Sequence, residues 1–256
     1  MYKIKQQLSL LIKKRVLTHI LHQGFSLGEC PICENRTLYY KEGKWLRDQF
    51  RCIRCYSIPR WRALVFVLEN HFPKWRELCI HESSPGGAAS AKLAKECTNY
   101  IPTHYFPNVP PGQVKDGFRC EDLEKQTFSN ESFDLIITQD VLEHLFTPSK
   151  ALTEIERTLK PGGAHVFTVP WYYWKDTEVR AVRKTDTIQY LKKPDYHGNP
   201  IDPEGSLVVT EWGRDLCDFI YKHSGMTTTA VRIFDRRQGI EAEFIEVFIS
   251  RKTGAL

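Results

Sequence analysis

Hydrophobic residues along this chain follow two different spacings, and the change between them divides the sequence. Over residues 2–22 they recur about every fourth position, which predicts one amphipathic helix within a segment 1–24. A second helix is predicted over 59–70, with Pro59 at its first turn and Pro73 after its last. The repeating positions of the first helix are Ile4, Leu8, Ile12, Val16 and Ile20.

From residue 73 onward, short apolar runs alternate with helical patterns. Strands are predicted at 78–82, 133–138, 165–169, 228–234 and 243–250, and helices at 88–97, 147–159 and 213–224. Such alternation is typical of an α/β fold, in which helices cover both faces of a mainly parallel sheet. We therefore predict three parts: the helix 1–24, a small module 25–72 and an α/β domain 73–256.

Composition and charge exclude little. The 256 residues are 41% hydrophobic and 26% charged, as in ordinary globular proteins, and the net charge of +5 weakly favours an anionic partner. No apolar run is long enough to span a bilayer, and no secretory signal is recognisable, so we expect a cytoplasmic protein with reduced thiols. Basic residues beside the 2–22 stripe permit peripheral membrane contact, but such a stripe more often packs on its own protein.

Four cysteines indicate a bound metal. Cys30 and Cys33 form one C-x-x-C pair, and Cys52 and Cys55 form a second after an eighteen-residue loop. Two such pairs side by side give the tetrahedral sulfur shell that Zn²⁺ accepts, and the loop length fits a zinc ribbon. We predict that these four cysteines bind Zn²⁺.

The ribbon has two interpretations. As a brace, it fixes the front module against the α/β domain. As a reader, it binds nucleic acid or protein through its arginines, although no recognition helix is evident, and we favour the brace. The arginines concerned are Arg47, Arg51, Arg54, Arg60 and Arg62.

Several loops that follow predicted strands carry small, acidic or polar residues, and ligands of open parallel sheets bind at such strand ends. The first loop, 82–88, reads ESSPGGA and leads into a helix whose N-terminus favours a carboxylate. The others are the acidic turn 120–123, the QDVLEH segment 139–144 and the aromatic run 169–174.

At these residues the chain resembles the class I methyltransferases that use S-adenosylmethionine, and residues 122–170, with SFDLI, VLEH and LKPGG in that order, carry the resemblance. The resemblance implies a Rossmann-like, seven-stranded sheet and a cofactor site. In that site Glu82 opens the Gly-rich loop, Asp122 and Leu123 border the adenine, and Gln139 and Asp140 lie beneath the methyl group. The neighbours Ser83, Ser84, Gly86, Gly87 and Val141 complete the predicted cofactor residues.

The sequence departs from the pattern of this family after the second strand. Members of the family place an acid after the second strand to hold the ribose, but residues 99–107 contain no carboxylate, and His104 or hydroxyl groups would have to substitute.

Catalysis by methyl transfer needs alignment and, for a hydroxyl or amine acceptor, a base. The candidates are His144 with Glu143, and His197 in a Gly- and Pro-flanked loop. For His144 a purely local hydrogen-bonding role is the favoured alternative. The acceptor is expected within 170–212, beside an aromatic wall of Trp171, Tyr172, Tyr173 and Trp174 and the polar segments at 196–200 and Glu211–Trp212.

Three functions compete. The first is methyl transfer to oxygen or nitrogen of a saccharide, a glycan-linked acceptor or a small molecule. The second is an RNA or protein methyltransferase that docks through the ribbon. The third is a catalytically silent, zinc-stabilised interaction module. The first is preferred.

Overall fold

The structure, a computed structural model, describes residues 25–185, 187–199 and 201–254, so the helix predicted over 2–22 lies outside the described residues. The strands are β1 (Ser26–Glu29), β2 (Arg36–Lys41), β3 (Phe50–Cys52), β4 (Cys79–Ser83), β5 (Asn99–His104), β6 (Val114–Lys115), β7 (Phe118–Cys120), β8 (Phe133–Gln139), β9 (Leu159–Thr168), β10 (Trp171–Tyr172), β11 (Glu178–Val179), β12 (Ala181–Lys184), β13 (Thr187–Tyr190), β14 (Tyr196–His197), β15 (Ser206–Leu207), β16 (Thr210–Gly213), β17 (Thr227–Val231) and β18 (Val247–Arg251). The helices are α1 (Leu46–Gln49), α2 (Pro59–His71), α3 (Gly87–Glu96), α4 (Pro148–Thr158) and α5 (Leu216–Ser224), with 3₁₀ turns at Trp75–Glu77 and Leu142–His144.

The central sheet confirms the predicted α/β class. Within the described residues it has eight strands in the order β17-β18-β9-β8-β4-β5-β7-β6. Strands β7, β5, β4, β8 and β9 run parallel, and β18 and β17 close one edge in antiparallel pairs. Seven of these strands form the Rossmann-like sheet that the resemblance implies, and the two-residue β6 adds an antiparallel hairpin to the other edge.

Helices cover both faces of the sheet because successive side chains of its buried strands point in opposite directions. Leu135 and Ile137 of β8 join one hydrophobic cluster with α2 and α3. Ile136, between them, joins a second cluster with α4 and α5. The uninterrupted apolar run of β8 is therefore the signature of a strand that is buried on both sides.

The front module shares the first of these clusters. Its three-stranded sheet β1-β2-β3 contributes Tyr39 and Phe50, and these pack in the same buried group as Leu64 of α2 and Ile80 of β4. The backbone amide of Glu29 also donates to the carbonyl of Arg237 at 2.8 Å. The module and the α/β domain thus meet through a continuous apolar core.

Arg62 crosses this junction as a fully buried side chain. Its guanidinium donates to the carbonyls of Phe50 and Gly239, both at 2.7 Å, and to the carbonyl of Ser57. Burial lowers the pKa of Arg62 to about 10. The assignment of Arg62 to an exposed nucleic-acid reader is therefore wrong, because all of its donors face the protein interior.

Two buried histidines of the sheet make stability depend on pH. His81 and His165 are fully buried, form hydrogen bonds with Thr103 and Thr138 at 2.9 Å, and have pKa values lowered to about 3, mainly by burial. Their folded-state pKa lies below the unfolded value of about 6.5. Their contribution to the free energy of unfolding is therefore complete above about pH 6.5 and is lost as the pH falls towards 3.

We expect the free energy of unfolding to fall by about 4 kcal/mol between pH 7.5 and 5 through these two groups. Urea unfolding at the two pH values measures the loss. A variant with His81→Gln and His165→Gln keeps hydrogen-bonding side chains that do not titrate, and it should lose much less. An equal loss in both proteins would contradict the assignment.

Between β9 and α5 the chain forms an inserted group of short strands, β10 to β16. Strand β16 pairs with β10 and β11, and separate hairpins are formed by β12-β13 and β14-β15. Among the residues that the structure describes, none of the helices has the length and apolar character needed to cross a bilayer.

Candidate active site and cysteine cluster

A cleft of about 1200 Å³ opens at the carboxyl ends of β4, β5 and β8. The three loops predicted to hold the cofactor converge on it. The predicted residues that line the cleft are Ser83, Ser84, Gly86, Gly87, Asp122, Leu123, Gln139, Asp140 and Val141. Their roles towards a cofactor stay predictions, but their convergence on one cleft is observed.

The front module supplies one wall of the same cleft. Trp61 of α2 lies against Gly87 so closely that a Cβ atom built on Gly87 would come within 2.1 Å of the indole ring. Gly87 also has a left-handed φ of 73°, and it is the first residue of α3. Contact with Trp61 and the backbone conformation both favour glycine at this position.

Replacing Gly87 with alanine is expected to displace Trp61. A left-handed backbone alone costs a non-glycine residue roughly 1–2 kcal/mol, and we expect the loss of stability to exceed this because of the clash with Trp61. Gly162→Ala is the matched control, since Gly162 has φ 78° but no described atom lies within 4 Å of a Cβ built there. Urea unfolding and Trp fluorescence compare the two variants. Equal destabilisation by both would contradict the contact with Trp61.

Glu82 does not line the cleft, although the resemblance places it towards the cofactor. Its buried carboxylate accepts hydrogen bonds from Tyr100 at 2.5 Å, Ser90 at 2.7 Å and Gln139 at 2.6 Å. Burial raises the pKa of Glu82, and these donors oppose the rise. In this structure Glu82 therefore ties the end of β4 to β5, α3 and β8 from beneath the cleft.

Asp140 follows β8 with a left-handed φ of 53°, and its side chain is fully engaged by the front module. Arg47 donates two hydrogen bonds of 2.6 Å to its carboxylate, and Arg60 adds one of 2.7 Å. Thr168 of β9 donates a further bond of 2.8 Å. Burial acts to raise the pKa of Asp140, but the two guanidinium groups outweigh it and hold that pKa well below its usual range.

These contacts revise the interpretation of the ribbon as a nucleic-acid reader. Arg47 and Arg60 bind Asp140, and Arg62 is buried, so three of the five arginines already have partners within the protein. Arg51 pairs with Glu42 at 2.5 Å. The observed contacts are those of a brace, and sequence reasoning missed the pairing of Arg47 and Arg60 with Asp140.

The adenine and ribose side of the predicted site is defined by two strand ends. The Asp122 carboxylate accepts a hydrogen bond of 2.8 Å from the amide of Glu124, which fixes the acidic turn. His104 ends β5, where the family places its ribose-binding acid, and it lines the cleft. Its ring packs edge-on against Phe118 at 4.5 Å, and burial lowers its pKa, so a neutral imidazole lies at this position.

The three predicted catalytic residues come together at one side of the cleft. Glu143 Oε1 lies 3.9 Å from Nε2 of His144 and 3.7 Å from Nδ1 of His197. The two imidazole rings stand edge to face, with centroids 5.2 Å apart. Both histidines line the cleft, whereas Glu143 is buried behind them.

The predicted aromatic wall is only partly present. Tyr172 lines the cleft, but Trp171 turns away and donates its indole N–H to the carbonyl of Gly213 at 2.7 Å. Tyr173 and Trp174 are about half exposed outside the cleft, at 48% and 58%. Instead, hairpin β14-β15 and its loop line this side with polar and apolar residues, namely Asp195, His197, Gly198, Asn199, Ile201, Asp202, Gly205, Ser206 and Leu207.

The other predicted acceptor groups are also engaged elsewhere. Glu211 forms ion pairs with Lys175 and Arg180, and Trp212 is buried in the second hydrophobic cluster.

The four cysteines of the ribbon form one compact cluster. Their sulfur atoms all lie within 4.8 Å of one another, and Cys30 and Cys55 are 3.7 Å apart. Four sulfurs arranged tetrahedrally at a Zn–S distance of about 2.3 Å are about 3.8 Å apart, so the cluster fits a zinc ion. The backbone amide of Arg54 points at Cys52 Sγ at 3.4 Å, as a donor to a metal-bound thiolate would.

Comparison with known proteins agrees with this architecture. The methyltransferase domain family matches residues 84–167. An uncharacterized methyltransferase of Schizosaccharomyces pombe is 44% identical over 46 residues, which are 18% of this chain and only 16% of that protein.

Two solved structures are similar to this chain. One is a chain from the complex between the Haloferax volcanii Trm112 methyltransferase activator and a methyltransferase, with a TM-score of 0.51 at 16% identity over 77% of this chain and 91% of that one. The other, an S-adenosylmethionine dependent methyltransferase from Mesorhizobium loti, has a TM-score of 0.49 at 15% identity over 74% and 98%. Residues 84–167 therefore match a methyltransferase domain, and the chain has the Rossmann-like fold of a solved methyltransferase chain.

Proposed function

We propose that this protein transfers the methyl group of S-adenosylmethionine to an oxygen or nitrogen of a saccharide, a glycan-linked acceptor or a small molecule. The supporting observation is a single cleft in which the predicted cofactor loops face the residues of the acceptor side. Its volume of about 1200 Å³ exceeds the roughly 300–1000 Å³ of a typical small-molecule pocket, and so leaves room for two ligands side by side.

The cofactor half would be held by main-chain groups and one carboxylate. The N-terminus of α3, at Gly87, offers free amides and the positive end of a helix dipole to the cofactor's carboxylate. Asp122 and Leu123 would border the adenine, as the resemblance implies. When bound, the cofactor supplies an electrophilic methyl group on a sulfonium, and the protein's task is to align the acceptor and exclude water.

The acceptor half favours a ligand rich in hydroxyl groups. Hairpin β14-β15 and the residue before it place Asp195, Asn199, Asp202 and Ser206 along the cleft. Asn199 Nδ2 donates to Ser206 Oγ at 2.8 Å, and Asp202 Oδ1 accepts from the amide of Glu204 at 3.0 Å. Carboxylates, amides and hydroxyls accept or share hydrogen bonds from ligand O–H groups.

The paired histidines provide a place for the acceptor's proton. The Nδ1 atom of His144 lies 2.8 Å from the carbonyl of Leu207, which keeps a proton on Nδ1 and leaves Nε2 available towards the cleft. Glu143 raises the pKa of His197. An acceptor hydroxyl or amine beside these groups can lose its proton as the new bond to carbon forms.

Labelled-methyl transfer into a fractionated cell extract tests the proposal. We expect the label in glycan or small-molecule fractions, and calorimetry of the same protein should detect S-adenosylmethionine binding. Label in RNA or protein would favour the docked methyltransferase. Absence of both heat and transfer would favour the catalytically silent module, and would contradict the proposal.

A further inference from the structure

Glu143, His144 and His197 have the composition of a metal site. Each brings one ligand atom to the cluster, and these atoms all lie within 4.8 Å of one another. Ligands about 2.1 Å from a shared ion would be roughly 3.0–3.4 Å apart. The two distances from Glu143 Oε1 to the imidazoles, 3.7 and 3.9 Å, would therefore have to shorten on binding, by about 0.3–0.9 Å.

The carboxylate of Glu143 lacks a partner that its burial demands. Its side chain is 2% exposed, and among the described residues neither of its oxygens has a hydrogen-bond partner. A buried carboxylate without compensation costs several kcal/mol, and in proteins such groups are paired or coordinate metals. Glu143 is held in this position by the backbone, since Val209 N–H donates to its carbonyl at 2.8 Å.

His144 is oriented as metal-binding histidines usually are. Its Nδ1–H donates to the carbonyl of Leu207 at 2.8 Å, and its Nε2 is therefore the atom that carries the lone pair. A backbone carbonyl on one ring nitrogen and the ion on the other is the common arrangement around protein metals. His197, on hairpin β14-β15, points its Nδ1 atom at the same carboxylate.

We propose that Glu143, His144 and His197 bind a divalent transition-metal ion, such as Zn²⁺ or Mn²⁺, and that this ion coordinates a hydroxyl group of the acceptor. Two imidazoles and one carboxylate suit these ions. Three protein ligands leave positions open on the cleft side, where both histidines are accessible.

The ion's catalytic part rests on the proposed function, whereas binding of the ion does not. Coordination would lower the pKa of the acceptor hydroxyl, which would release its proton to solvent. In the metal-bound form this route replaces proton uptake by His144 and His197, because their free ring nitrogens then hold the ion. The oxygen then forms a bond to the methyl carbon as the carbon–sulfur bond breaks, and that electron pair stays on sulfur. The products are a methyl ether, S-adenosylhomocysteine and one proton.

Metal content of the full chain tests the site directly. After incubation with Zn²⁺ and desalting, we expect two zinc ions per chain by mass spectrometry, one in the cysteine cluster and one here. A variant with His144→Ala and His197→Ala should retain one. His71→Ala removes an exposed imidazole outside the cleft and should retain both.

Mn²⁺ gives an independent readout, because the resonance signal of the free ion disappears on binding. Addition of the wild-type chain should reduce that signal, and Glu143→Gln should restore it. One zinc per wild-type chain, together with an unchanged Mn²⁺ signal, would overturn the metal site and leave Glu143 paired with a protonated histidine. Calorimetry with S-adenosylmethionine separates the two proposals. If the chain binds the cofactor but no metal at this site, only the metal site is refuted. If it binds the metal but not the cofactor, only the proposed function is refuted.

Discussion

Breaking the cysteine cluster is expected to unfold the front module and to abolish cofactor binding. The apparent binding free energy of structural zinc in small zinc fingers is about 10–16 kcal/mol, which is as large as the stability of a whole domain, roughly 5–15 kcal/mol. Cys52→Ser removes one of the four sulfurs, at the end of β3. Because the module delivers Trp61, Arg47 and Arg60 to the cleft, we expect its loss to remove the binding of S-adenosylmethionine as well.

Thermal unfolding and calorimetry with S-adenosylmethionine measure these two losses. Cys217→Ser is the matched control, since Cys217 lies on α5 outside the cluster. A cysteine variant is preferable to a chelator, which would also strip an ion from the second site proposed above. If Cys52→Ser and Cys217→Ser had the same unfolding temperature and cofactor affinity, the zinc cluster would have no structural role.

Replacing Arg47 with methionine is expected to lower the free energy of unfolding by about 3–5 kcal/mol, the usual cost of removing one partner from a buried ion pair. Arg47 is 4% exposed, and Asp140, which it contacts twice, is 12% exposed. The variant leaves that carboxylate with Arg60 and Thr168 alone. Arg51→Met is the control, because the ion pair of Arg51 with Glu42 is exposed, and such pairs contribute only about 0–1 kcal/mol.

Urea unfolding of the two variants measures the difference. A double variant with Arg47→Met and Asp140→Asn removes the uncompensated charge, and should recover part of the stability that Arg47→Met loses. Equal effects of Arg47→Met and Arg51→Met would show that the buried pair does not brace the cleft.

Features set by local pattern were predictable from the sequence. The buried run of β8, the Gly-rich loop before α3 and the two C-x-x-C pairs each depend on neighbouring residues, and each was found where it was expected. The helix ends moved by only one to three residues; the helix predicted over 59–70, for example, ends at His71.

Long-range pairings were not predictable. Arg47 and Asp140 are separated by 93 positions, and an arginine on the short helix α1 carries no sequence signal of the carboxylate that it will meet. The hydrogen bonds that hold the buried carboxylate of Glu82 likewise come from Tyr100 and Gln139 on two other strands. The prediction of an aromatic wall over 171–174 failed for a different reason. Trp171 and Tyr172 of β10 point to opposite sides, and Tyr173 and Trp174 lie in the turn after this two-residue strand, so of these four only Tyr172 reaches the cleft.

Arg62 and its carbonyl acceptor on Gly239 have a consequence for how such chains can recombine. A genetic crossover at residue 73 would separate this arginine from the carbonyl of Gly239, one of its three carbonyl acceptors, and would leave its Nε–H without an acceptor in the interior of the hybrid. Chimeras joined there are expected to express as aggregates. Transferring the 235–240 turn together with residues 25–72 should restore soluble expression of the chimeras. These two segments, although distant in sequence, would then have to be exchanged together.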